Sequence, residues 1–360
     1  MESLGQRQDN EGERVVVRAF DALAVGFTSR MTAADIANYA GLAERNGITH
    51  MWTTESAAFR TGFPILMAAA AATHKMELGV GTTGVYSRHP AIIAAEAATV
   101  DEYSNKRLTL GLGIDPTPIV DQDGSLKSSR PIATLDEATT IVRGTLDGTI
   151  RTYSGKIFNM NNPELNLEFE PIRKRVPIFL GAKGPQMLRL AGRIGDGVVM
   201  TLLTTPQYVR YARGQLEEGT KAVGRNLDDL PIVAYLLFSV ARDRKEAREA
   251  TKQFLGTYLA HVVYGQAQKE AGLSEEDIRP FKEAHDHHDH SGLGKLVTDE
   301  HIDKFATCGT PSDCAETLAE YIDSGVSVPT AFFPFGPEPQ AAIKLIGQEV
   351  RPMVEKRNRR

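Results

Sequence analysis

Residues 176–200, VPIFLGAKGPQMLRLAGRIGDGVVM, carry the clearest chemical signal in the chain. An apolar run ends in Gly181-Ala182-Lys183-Gly184, and Pro185 then opens a helix. Glycine lets backbone approach a ligand closely, and proline is pre-set for a first helical turn. Unbonded N–H groups at such a start, with the helix dipole behind them, favour a phosphate, and Lys183 adds positive charge. A plain strand-to-helix turn is the competing reading.

Two further junctions have the same character. At 81–102, GTTGVYSRHPAIIAAEAATVDE, an apolar run ends in Gly81-Thr82-Thr83-Gly84, too rich in glycine to serve packing alone. Arg88 and His89 precede a helix opened by Pro90, and His89 reads as a helix-cap contact. The following apolar run ends at Gly111, Gly113 and Asp115. In HMWTTESAAF, residues 50–59, Glu55 and Ser56 stand where a bound ring would lie. Glu55 either orients a ring N–H or shuttles a proton, or forms an ion pair with a loop arginine. Trp52, the only tryptophan, reads as core.

The elements that must position these residues follow a regular alternation. Apolar runs at 21–27, 48–53, 76–81, 108–112, 177–181, 197–201, 232–240 and 328–333 read as strands. Helical patterns separate them, including 63–73, 90–103, 135–146, 185–194, 206–223, 245–271 and 312–324, with a last helix at 339–353. Strand–helix alternation implies a parallel sheet, and eight strands are the number that closes an α/β, (β/α)8 TIM barrel. An open doubly wound sheet fits less well, because no Gly-x-Gly-x-x-Gly follows the first strand. Residues 1–20 read as a flexible extension, and 21–355 as one barrel domain with insertions near 148–175 and 280–300. Active sites of such barrels lie at the strand C-termini, where the three junctions fall.

At these residues the chain resembles the luciferase-like monooxygenase superfamily, within it the methylenetetrahydromethanopterin reductase branch. Its signatures are GTTGVYSRHPAIIAAEAATVDE and PIFLGAKGPQMLRLAGRIGDGVV, with CGTPSDCAETLAEYIDSGV and PFGPEPQAAIKLIGQEV closing the match. The resemblance implies coenzyme F420, or FMN in sister branches, at the strand C-termini. It also implies a cis peptide bond at Gly81-Thr82 behind the isoalloxazine ring, a phosphate turn at Gly181, Ala182, Lys183 and Gly184, and Thr201 near the same tail. Glu55, Ser56, Thr82 and Gly113 would flank the ring, Glu55 and Asp115 carry the chemistry, and Asp115 touch substrate or the polar tail. Relatives have Asp-His where this chain has Glu55-Ser56, which removes the base used in sugar-phosphate oxidation. The implied function is hydride transfer between F420 and a small molecule with an activated C=C, C=N or C=O group. The alternatives are an FMN-dependent monooxygenase and a non-catalytic flavin-binding barrel. Dimerisation, common in the family, is expected here.

Bulk properties agree with a soluble small-molecule enzyme. The chain has 360 residues, 41% hydrophobic and 24% charged, with a net charge of −5. A mildly acidic chain lacks the clustered basic footprint of nucleic-acid binding. No apolar stretch approaches the roughly 20 residues of a membrane span. Two cysteines, Cys308 on an expected loop and Cys314 on the following helix, give no disulfide framework, so a cytoplasmic setting is expected. The run His285–His290, HDHHDH, reads as a solvated insertion, because one contiguous stretch wraps a tetrahedral metal poorly; no metal site is expected.

Overall fold

In the computed structural model the described residues are 22–56, 58–114, 130–162, 165–262, 265–289 and 291–358. The extension expected at 1–20, Asp115 and His290 lie outside them. The chain runs β1 (Ala24–Phe27), α1 (Ala33–Arg45), β2 (His50–Thr53), α2 (Gly62–Ala72), β3 (Glu77–Gly84), α3 (Pro90–Tyr103), β4 (Leu108–Gly113) and α4 (Pro131–Asp147). A small hairpin, β5 (Tyr153–Ser154) and β6 (Asn159–Met160), follows, then β7 (Ile178–Gly181), α5 (Pro185–Ile194), β8 (Gly197–Met200), α6 (Pro206–Lys221) and β9 (Ile232–Val240). The last third contains α7 (Arg244–His261), α8 (Gln266–Glu270), α9 (Glu275–Asp286), α10 (Asp299–Phe305), β10 (Ala306–Gly309), α11 (Pro311–Asp323), β11 (Val328–Phe335), α12 (Pro339–Leu345) and α13 (Arg351–Asn358).

Strands β1, β2, β3, β4, β7, β8, β9 and β11 pair in parallel in that order, and β11 pairs back to β1, which closes the barrel. The nine residues of β9 are buried throughout, as expected where helices cover the outside and side chains fill the inside. Outward side chains such as Val25, Met51, Leu78, Leu110, Ile178 and Val198 share one apolar cluster with the helix faces. Helix starts are set locally: Thr32 accepts from the Asp35 N–H, Thr205 from Tyr208, and Thr310 and Asp313 form a reciprocal capping box.

The inside of the barrel is filled by rings. Trp52 lies 5.8 Å from Phe179 and 6.5 Å from Tyr235, and Tyr235 stacks on Phe332 at 5.1 Å. Neighbouring strands make room with glycine. A methyl on Gly79 would run into the Trp52 ring, one on Gly26 would come within 2.5 Å of Phe332, and one on Gly197 within 2.5 Å of Phe179. Each ring occupies the volume that a missing side chain leaves on the neighbouring strand, so the floor of the barrel is packed.

Several boundaries differ from the sequence reading. Residues 306–309, around the Cys308 expected on a loop, form β10, which pairs with the C-terminal half of β9 along the edge that β8 leaves uncovered. Cys308 therefore sits in a strand. The helix expected over 245–271 stops at His261, and α8 is separate. The irregular stretch expected from residue 280 begins inside α9, where the Ser274–Asp277 capping box and the buried Ile278 and Phe281 outweigh the cost of Pro280. Among the described residues of the β-rich excursion expected at 148–175, only the short β5–β6 hairpin forms. The final helix is divided by a π-helical turn at Ile346–Val350.

Candidate active site

The most distinctive backbone at the mouth is the end of β3. Pairing with β4 is regular to Val80↔Leu110 and resumes at Thr83↔Leu112, so the strand bulges between them. The Gly81–Thr82 peptide bond within the bulge is cis, where the resemblance placed it. Gly81 has no room for a side chain, because Tyr235 Oη and Val199 lie directly beneath it. Gly111 is required by the same bulge: a methyl there would meet the Val80 carbonyl. The Thr82 side chain leans across the neighbouring strands, covering Gly113 and standing 2.9 Å from where a Gly181 methyl would be. Thus Gly81, Thr82, Gly113 and Gly181, all expected as site residues, converge on one sector formed by β3, β4 and β7.

Glu55 holds this sector from behind. Its carboxylate accepts from the Gly62 N–H at 2.7 Å, from the Gly84 N–H at 3.3 Å, and from Arg88. Only 4% of the side chain is exposed. Arg88 also pairs with Glu96 at 2.8 Å and lies over the Phe63 ring. Desolvation first, then the proximity of Glu55, pushes the Glu96 carboxyl up, while Arg88 opposes this. One carboxylate therefore ties the start of α2, the exit of β3 and the approach to α3 together, which is the ion-pair reading of Glu55. Ser56 stabilises its own turn, accepting from the Ala58 N–H at 3.3 Å. His89 caps α3 through the Ala91 N–H, as expected, and packs edge-on against Phe158.

The start of α5 offers a different surface. Gly184 is its N-cap and makes no side-chain cap, and Pro185 occupies the first turn. Leu188 is the first residue to return a hydrogen bond, to the Gly184 carbonyl, which leaves the Gln186 and Met187 N–H groups facing outward. Among the described residues, a methyl on Gly184 would meet nothing within 4 Å. Lys183 is exposed, yet the protein around it costs its ammonium enough hydration to push it below the usual lysine range. Among the described residues no carboxylate pairs with it. The backbone carbonyl of Lys183 accepts from Tyr208 Oη at 2.9 Å, which pins the turn to α6. Buried Ala182 completes the turn.

Thr201, expected beside the anionic tail, hydrogen-bonds Tyr258 of α7 at 3.0 Å. Sequence reading missed Tyr258. The spacing of Phe254 and Tyr258, i and i+4 on one helix face, was the available signal, but such a pair on a long helix normally reads as core. Trp52 is core, as expected. Among the described residues no group of three or more His, Cys, Asp or Glu side chains is arranged to hold a metal, and no helix is long and apolar enough to cross a membrane.

The chain belongs to the luciferase-like monooxygenase family, whose profile matches residues 14–327. It is 32% identical over 338 residues to a 5,10-methylenetetrahydromethanopterin reductase from Archaeoglobus fulgidus, covering 92% of this chain and 99% of that protein. An F420-dependent glucose-6-phosphate dehydrogenase from Microbacterium testaceum is 25% identical over 313 residues, covering 85% of this chain and 86% of its own length. Among solved structures, the coenzyme F420-dependent tetrahydromethanopterin reductase from Methanopyrus kandleri superposes with a TM-score of 0.85 at 27% identity, covering 92% of this chain and 99% of the other.

Proposed function

We propose that this chain is an oxidoreductase that transfers a hydride between coenzyme F420 and a small organic molecule with an activated C=C, C=N or C=O group. The observation that carries this reading is the α5 start, where among the described residues the N–H groups face outward, Lys183 has no carboxylate partner and the space above Gly184 is open. These features fit a phosphate-bearing tail, and the glycine-cleared bulge around Gly81 and Thr82 fits the flat ring system. Similarity along nearly the whole chain to relatives named for F420 supports F420 over FMN.

When bound, the deazaflavin supplies two-electron hydride chemistry. The chain's own residues bind, orient and keep water out. Lys183 and the Gln186 and Met187 N–H groups would hold the phosphate. Glu55, through the Gly84 N–H and Arg88, fixes the exit of β3 so that the bulge presents a constant surface. The rings of Trp52, Phe179, Tyr235 and Phe332 pack together in one buried cluster below the bulge.

Titration with F420 and separately with FMN tests the reading. Saturable F420 binding with no FMN binding is the expected result; tight FMN binding with none of F420 favours the monooxygenase chemistry. Gly184→Asp places a carboxylate where the phosphate would lie, and should weaken F420 binding at least about a hundredfold. Because the site has space, the thermal midpoint should move by no more than about 2 °C. Unchanged affinity in this variant would remove the phosphate assignment.

A further inference from the structure

The bulge and helix α7 lie on opposite sides of the mouth. In the closed order β1, β2, β3, β4, β7, β8, β9, β11, the strand across from β3 is β9, and α7 follows β9 directly. Helix α7 is anchored at its start, where Ser239 Oγ donates to the Ala247 carbonyl at 2.7 Å. Further along it reaches two strand exits. Phe254 stands 6.4 Å from Phe332 and 6.2 Å from Phe333, at the end of β11. One turn later, Tyr258 hydrogen-bonds Thr201, just past the end of β8. Phe254, Tyr258, Thr201 and Phe333 are all half-buried, whereas the neighbouring Leu255 and Leu259 are fully buried in the helical insertion.

Thr201 lies two residues after the inward Val199 of β8, which touches the Gly81 position, so strand alternation continues towards the same side. The Phe254–Tyr258 face thus stands on the side of the mouth opposite the bulge, one layer above the packed rings. Either hydroxyl can be the donor in the Thr201–Tyr258 bond. With Thr201 donating, the phenol proton is available to a third group. Burial holds the Tyr258 phenol above its ordinary range, so it stays a donor at neutral and mildly alkaline pH, although Thr201 opposes the shift.

We infer that Phe254, Phe333 and Tyr258 form the substrate subsite, and that it takes a planar, uncharged conjugated carbonyl or imine whose acceptor atom receives the Tyr258 hydrogen bond. This rests on the cofactor reading above, since it assigns the substrate to the face of the ring turned away from the bulge. Aromatic walls give planar molecules stacking and edge contacts, and one buried donor fixes their orientation.

The test uses acetophenone as the probe and glucose 6-phosphate as the contrast, added to protein loaded with oxidised F420 and followed by deazaflavin fluorescence. Loading is measured first. If F420 does not load, the cofactor reading fails, and acetophenone binding is then read from Trp52 fluorescence in the unloaded protein. The expected result is saturable acetophenone binding, no glucose 6-phosphate binding, and fivefold to tenfold weaker acetophenone binding in Tyr258→Phe, about the loss of one hydrogen bond. Thr201→Val should weaken it severalfold and Phe254→Ala about tenfold, with F420 affinity in Tyr258→Phe and Phe254→Ala within about twofold of the parent. Undiminished acetophenone binding in Tyr258→Phe, displacement of F420 by acetophenone, binding of the sugar phosphate instead, or no acetophenone binding to the parent would each overturn the subsite.

Discussion

Inward glycines line this barrel at two heights, and they do opposite things. Gly26, Gly79 and Gly197, in the floor, give up their side-chain volume to rings from neighbouring strands. Gly184, at the mouth, gives up its volume to nothing among the described residues. Gly81 stands between the two levels, crowded from below by Tyr235 and lying in the bulge above. The same residue type is thus a packing device in the floor and a clearance for a ligand at the rim. A glycine count along the sequence merges the two; only the neighbours across the sheet separate them.

Three substitutions sharpen this contrast, beginning with the one of largest effect. Gly79→Ala forces a methyl into the Trp52 ring within a packed core, and should cost about 3 kcal/mol in urea unfolding, with a shift in Trp52 emission. A loss under about 0.5 kcal/mol would mean that the floor is looser than its packing indicates, and the contrast with the rim would weaken. Glu55→Gln removes the charge opposite Arg88 while keeping an acceptor for one of the two glycine N–H groups. It should cost about 2 kcal/mol and weaken F420 binding only as the β3 exit loosens; a large loss of turnover with unchanged stability would instead give Glu55 a direct chemical role. Lys183→Met should weaken F420 binding about tenfold, about 1.4 kcal/mol. In the parent, affinity should be full while the ammonium is charged and decline as pH rises through its depressed pKa, earlier than for an ordinary surface lysine. The methionine variant should show no such decline, and an identical pH profile in both proteins would place the anion elsewhere.

Much of this architecture is legible in the chain because it depends on neighbours in sequence. The eight strands announce themselves as apolar runs between helical patterns, and the α5 start is written in consecutive residues, Gly184 then Pro185. The partnerships that give those residues their duties are not written that way. Glu55 meets Arg88 across 33 positions, so the sequence leaves its carboxylate open between a chemical role and an ion pair until the fold brings this guanidinium to it. Tyr258 meets Thr201 across 57 positions, and its helix carries two faces of use, one into the insertion and one over the mouth. Strand β10 was missed because four residues following a helix carry too little pattern to oppose a loop reading; it exists because the long β9 outruns β8 and leaves an edge to be paired.

The sealed floor has a kinetic corollary. With Trp52, Phe179, Tyr235 and Phe332 packed across the barrel, access among the described residues is from the mouth, so whatever lies deepest must arrive first and depart last. A ring seated on the bulge would then be overlaid by its reaction partner, which gives an ordered sequence of arrivals. Excess partner would trap the spent ring in place and slow its replacement.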